Sequence, residues 1–133
     1  MTDAPNAGAP NPGPHNAGTN YGTTPISDEY MQEMLGKSQD YVIVILRAGP
    51  NYGPDARPTV IEHGRRNFAL RAEGVLSIVC RVTDDSDCAG IGVFAAPIEE
   101  VVRIVDGDPG VQAGVFTYEV HPVRSFAGDA LPG

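Results

Sequence analysis

Residues 75–96 read VLSIVCRVTDDSDCAGIGVFAA. Two apolar runs, VLSIVCRV (75–82) and IGVFAA (91–96), flank TDDSDCAG (83–90), a segment of small and acidic turn formers. Runs of this length, rich in β-branched residues and bounded by turn chemistry, read as a β-hairpin. What surrounds the hairpin decides the fold.

Upstream, residues 58–72 follow a helical pattern, with Pro58 suited to a first turn and Gly74 to a stop. Ile61, Gly64, Phe68, Ala72 and Val75 fall on one side at ~100° per residue and read as its buried stripe. Before it, AGPNYGPDARP (48–58) is broken by Gly and Pro and reads as a loop. YVIVILR (41–47), almost wholly apolar, reads as a strand covered on both faces. Downstream, PIEEVVRIVDG (97–107) places Ile98, Val101, Val102 and Val105 on one amphipathic stripe. In DPGVQAG, Asp108 suits the N-cap and Pro109 the first position of a short turn. Residues 115–123, VFTYEVHPV, read as the last strand.

The order is β-α-β-β-α-β. Right-handed crossovers fold it into an α+β, ferredoxin-like domain: a four-stranded antiparallel sheet with both helices on one face. Apolar residues on the other face then need cover. A homodimer that stacks two sheets supplies it and leaves a pocket for a small-molecule ligand.

Outside this unit, SDEYMQEMLGK (27–37) reads as a short helix capped by Ser27. Residues 1–25 hold four Gly, five Pro and four Asn, with only Asp3 charged at neutral pH when His is counted neutral. Such a segment buries too little apolar surface to offset its ordering entropy. It reads as a flexible arm, or as an arm that orders on a partner subunit or protein. The expected division is an arm at 1–26, a helix and linker at 27–39, a domain at 40–127 and a tail at 128–133.

A net charge of −8 argues against nucleic acid and anionic membrane as partners. No apolar run approaches the ~20 residues of a membrane span, and no secretion signal opens the chain, so the expected location is the cytoplasm. Cys80 and Cys88 are then expected as free thiols. No pattern for a phosphate loop, a redox cofactor or a calcium loop is present, and no ligand spacing supports a metal site, so the expected cofactor and metal complement is none.

Three segments carry a resemblance: YVIVILRAGPN (41–51), RPTVIEH (57–63) and DPGVQAGVFTYEVHPVRSF (108–126). From Tyr41 to Phe126 the chain resembles the YCII-related (YciI-like) proteins. The resemblance implies a dimeric α+β barrel of ferredoxin-like subunits. It also implies an active site made of a histidine on the first helix of the domain and an aspartate before the last strand, which fall on His63 and Asp108. Activity in that family is of a lyase type, removing a group from an oxygenated ring with the His–Asp pair moving a proton. One stretch departs: where many members carry Gly-Pro in the second strand, this chain has Cys80-Arg81 in VLSIVCRV, so the strand is expected to run on and the pocket wall to differ.

The residues support such a pair independently. Imidazole titrates near neutral pH, and a carboxylate on its second nitrogen fixes the tautomer. Against the stripe drawn above, His63 lies about 100–120° from the apolar centre, flanking the buried side. Asp106 is an alternative partner. Arg65, Arg66 and Arg71 form a local cationic cluster suited to an oxygenated or anionic substrate. On the last strand Thr117, Glu119 and His121 alternate with Phe116, Tyr118 and Val120, so Glu119 and His121 are further candidates for substrate contact if their face looks into the dimer. The leading reading is a cofactor-independent lyase or isomerase. A non-catalytic accessory subunit docking through its arm, or a small-ligand binding module, are the alternatives.

Overall fold

The computed structural model describes residues 20–133, which divide into two compact units: Ser38–Ser125, and a second made of residues 20–37 and 126–133. In the second unit, helix α1 (Asp28–Gly36) begins as its sequence dictates, with Ser27 Oγ accepting the Tyr30 N–H at 3.1 Å. Of the arm expected at 1–26, residues 1–19 lie outside the described residues.

The larger unit runs β1 (Ser38–Ala48), α2 (Arg57–Ala72), β2 (Leu76–Arg81), β3 (Cys88–Phe94), α3 (Ile98–Asp106), α4 (Pro109–Gln112) and β4 (Phe116–Phe126). The four strands form one antiparallel sheet of order β2-β3-β1-β4, the ferredoxin-like arrangement. In register, Ile43 faces Val93 and Ile45 faces Ile91 across β1–β3, while Cys80 faces Ile91 across β2–β3. β2 does run on through Cys80 and Arg81.

β1 and β4 extend further than their apolar runs. At their far ends Arg124 Nε donates to Asp40 Oδ1 at 3.0 Å. β4 passes through Pro122, which an edge strand tolerates because its missing N–H can face away from the ladder. The turn in the hairpin is shorter than expected. Asp84 Oδ1 accepts both the backbone N–H and the hydroxyl of Ser86, at 3.0 and 2.6 Å, which turns the chain early and lets pairing resume at Cys88.

Side-chain alternation separates the two faces of the sheet. Toward the helices point Val42, Val44, Leu76 and Phe94, which form the core with Leu70 of α2 and Val101 and Val105 of α3. The α3 stripe is close to its expectation, with Ile104 rather than Val102 joining Ile98 against that core. From the opposite face project Ile43, Ile45, Ile78, Ile91 and Val93, each half-buried.

Helix α2 departs most from its sequence reading. Ile61 and Phe68, both drawn in its buried stripe, are exposed at 48% and 62%. The inward side instead carries Val60, His63, Asn67 and Leu70, of which only Leu70 is fully buried. A cavity lies beneath this side. On β3 the helix-facing positions next to Phe94 are Gly90 and Gly92, which bring no side chain of their own under the helix; at Gly92 the side chains of Leu76 and Phe94 close in instead. Apolar periodicity reports a filled core, and α2 covers a space that the protein itself does not fill. The helix also starts one residue early, at Arg57, after a 3₁₀ turn at Pro54–Ala56 inside the expected loop.

Candidate functional site

The cavity, of about 530 Å³, lies between α2, the sheet and the β2–β3 hairpin. His63, Asn67, Asp108 and Phe116 stand together on its wall. Three local features bring them there. His63 occupies the inward side of α2, one turn before Asn67. Asp108 is the N-cap of α4, with Oδ2 accepting the N–H groups of Gly110 at 2.9 Å and Val111 at 3.2 Å. The loop after β1 is stitched to the segment before β4: Gly49 N–H donates to Val115 O, Asn51 N–H to Gly114 O, and the Asn51 amide to Ala113 O at 2.8 Å. Gly114 holds φ at 72°, which favours glycine, and a side chain at Gly49 would begin 2.6 Å from the Gly114 carbonyl.

His63 Nδ1 is 2.9 Å from both oxygens of Asp108, and both side chains are largely withdrawn from solvent. Burial pushes the Asp108 carboxyl up. The hydrogen bond and charge of His63, with the N–H groups of Val111 and Gly110, outweigh it and hold the carboxyl below its ordinary range. An ionised carboxylate has no proton to give, so Nδ1 is the donor. In the neutral ring Nε2 then carries the lone pair, and the Asn67 amide donates to it at 3.2 Å. The Phe116 ring packs on the imidazole with centroids 4.7 Å apart and planes tilted by 51°. Gly110 makes room for that ring: a Cβ there would lie 2.6 Å from a Phe116 carbon.

The geometry separates the two acidic candidates. Asp106 accepts from the Tyr118 hydroxyl at 2.6 Å, and burial with this bond pushes the phenol up to about 12. Asp108 alone of the two meets His63.

The cationic cluster divides. Arg66 lines the cavity, but its Nη1 donates to Ile104 O at 2.7 Å, near the end of α3, and stands 3.8 Å from Asp108 Oδ1. It braces the carboxylate. Arg65 pairs with Glu62 on the exposed side of α2, and Arg71 is exposed near the helix end. Glu119 and His121 sit on the sheet face opposite the helices. There Glu119 takes hydrogen bonds from Arg47 at 3.1 Å and from His121 at 2.8 Å, which hold its carboxyl low. None of Arg65, Arg71, Glu119 and His121 lines the cavity. The alternation along β4 assigned its faces; the absence of helix cover over Glu119 and His121 is a fact of topology.

Asn67 is the residue that sequence reasoning passed over. Its signal was present, since a side chain four residues after a helical histidine stands beside it. Once the helix is phased on Leu70, Asn67 falls inward.

Cys80 and Cys88 are both free thiols, and both line the cavity, as does Arg81. Among the described residues no three His, Cys, Asp or Glu side chains gather as a metal site, and no helix is long and apolar enough to cross a membrane.

No protein-family model and no curated protein matches this chain. Among solved structures it is similar to 5-chloro-2-hydroxyhydroquinone dehydrochlorinase (TftG) from Burkholderia phenoliruptrix AC1100, in complex with 2,5-dihydroxybenzoquinone. The identity is 22%, the TM-score 0.42, and the match covers 60% of this chain and 90% of that one.

Proposed function

We propose that this chain is a small-molecule enzyme of YciI-like kind, a lyase or isomerase that moves a proton with His63 and needs no cofactor to do so. The observation that carries the reading is the arrangement Asp108–His63–Asn67: Nδ1 lies 2.9 Å from an ionised carboxylate, and Nε2 is oriented by an amide on the wall of a cavity. In the reaction the Asn67 amide gives up its bond to His63 Nε2, and the freed lone pair takes a proton from the substrate, forming an N–H bond as the substrate bond breaks. The released electron pair stays on the substrate. There it either expels a leaving group, giving elimination, or awaits return of the proton at another atom, giving isomerisation. Asp108 stays ionised and stabilises the imidazolium. Asn67 orients the ring before substrate binds. Such a positioned base is worth about 10²–10⁴-fold in rate.

The same reading includes a homodimer. The five apolar side chains Ile43, Ile45, Ile78, Ile91 and Val93 occupy one contiguous patch of the sheet face opposite α2 and α3, and a second copy stacked there would remove it from water.

The test is solvent exchange. Hydroxylated and enolisable small molecules are incubated in D₂O with the protein, and proton loss is followed by NMR. The native chain should exchange at least one class, and His63→Ala should lose about 10²-fold or more of that rate. A small-ligand binding module predicts binding without exchange. Equal exchange by the native chain and His63→Ala rejects the mechanism.

A further inference from the structure

We infer that Gly64 is a specificity-determining residue, which keeps the way to His63 open and sets the width of the molecule that can pass. The inference rests on the cavity being where a ligand meets His63.

Glycine in a helix interior is disfavoured, so a reason is needed. Two ordinary reasons fail. Gly64 is absent from the positive-φ glycines, so its backbone accepts any residue. A Cβ built there meets nothing within 4 Å, so no neighbour demands the space. Gly110 differs, since Phe116 presses on it, and so does Gly114, which holds a positive φ. What Gly64 preserves is emptiness, and that emptiness adjoins the cavity it lines.

Its position gives the emptiness a use. Gly64 follows His63 directly and lies at the flank of the inward side of α2, with Phe68 one turn on, 62% exposed and also on the cavity wall. Across the cavity stand the hairpin, from Cys80 to Gly90, and the β3 positions Gly90 and Gly92, the latter overlaid by the side chains of Leu76 and Phe94. A molecule entering between helix and hairpin thus passes an open surface at Gly64 and the apolar edge of Phe68, and meets the apolar floor of Leu76 and Phe94 beyond. This favours a flat, mainly apolar body whose polar end reaches His63 Nε2. A branched side chain at 64 would stand in its path.

The entrance is testable without a known substrate. Diethyl pyrocarbonate modifies accessible imidazoles, and peptide mass spectrometry resolves His63 from His121 in the full chain. His121 lies on the sheet face that the proposed dimer would cover, so free imidazole added to the same sample serves as the reference. In Gly64→Leu the His63 rate, relative to free imidazole, should fall by about tenfold or more, as expected for a branched side chain standing in the open entrance. In Gly64→Ala it should fall less, while the melting temperature rises by about 4 °C from better helix propensity. A stabilised protein with a less reachable histidine is the paired signature. If Gly64→Leu unfolded the chain, His63 would react faster, and Gly64→Ala would then decide. An unchanged rate ratio in both variants overturns the inference, as does a native chain whose His63 does not react. Protection without solvent exchange by the native protein would reject the proposed reaction and keep the entrance. Exchange without protection would do the reverse.

Discussion

Asp108 performs two tasks that one substitution can join and another can separate. It caps α4 through Oδ2 and receives His63 through both oxygens. Asp108→Ala removes both. The cap is worth ~1 kcal/mol, and a buried hydrogen bond to a charged group about 1.5–3 kcal/mol, so the loss is about 3 kcal/mol. Asn caps as well as Asp does. In Asp108→Asn the amide oxygen takes the place of Oδ2 under Gly110 and Val111, and the amide nitrogen takes that of Oδ1 beside His63 Nδ1. The cap survives and the loss falls to about 1–2 kcal/mol. The amide now donates to Nδ1, so the imidazole proton moves to Nε2 and the lone pair leaves the cavity side. Exchange activity should drop by about 10²–10⁴-fold in this folded variant.

Urea unfolding followed by circular dichroism gives the stabilities, and ¹⁵N NMR of the imidazole gives the tautomer. pH supplies a further signature. Because the folded carboxyl titrates below its ordinary value, its contribution to stability is present above the unfolded value and is lost as pH falls through the folded one. Native and Asp108→Asn stabilities should therefore converge in acid. Equal losses in the Ala and Asn variants, or an unchanged tautomer in Asp108→Asn, would refute the division of labour.

At the alkaline end Tyr118 acts with the opposite sign. Its phenol is raised to about 12 by burial and Asp106, so its contribution is whole below the ordinary phenol value and fades as pH climbs toward 12, a limb that Tyr118→Phe should lack in denaturation curves taken across that range. Gly110→Ala drives a Cβ against Phe116 and Asp108 Oδ2 and should destabilise by about 1–3 kcal/mol; a melting temperature equal to the native one would show that the ring gives way freely. Ile45→Lys should convert a dimer to monomers in sedimentation equilibrium, and a native chain that is already monomeric at high concentration removes the stacked-sheet proposal.

The strands and α3 were legible because each fills a core. Val42 and Val44, Leu76 and Phe94, and Val101 and Val105 are buried, and their spacing states the period of the element that carries them. Asp108 was legible as a cap for a local reason, since Asp-Pro-Gly-Val encodes its own turn. Its meeting with His63 was not, because 45 residues separate them and only the crossover of α2 over the sheet closes the gap. That pairing entered through resemblance to a known family and is met here in the geometry.

The misreading of α2 has a physical cause that bears on its use. A helix over a packed core must turn its apolar residues inward. A helix over a cavity meant for a ligand has to hold polar groups inward where the ligand will need them, and it can expose Ile61 and Phe68 because burial of Leu70 and the preceding Ala56 already anchors its two ends. Conflict between an apolar stripe and the true inward face is then the sign of a site, since natural sequences break local rules where function requires it. On α2 the conflict is centred on His63, Gly64 and Asn67: a half-buried histidine, a glycine with nothing to pack on and an amide aimed at the imidazole. Each is a poor choice for a helix whose only task is to cover a sheet. Together they are consistent with a helix whose task is to present one nitrogen to a space.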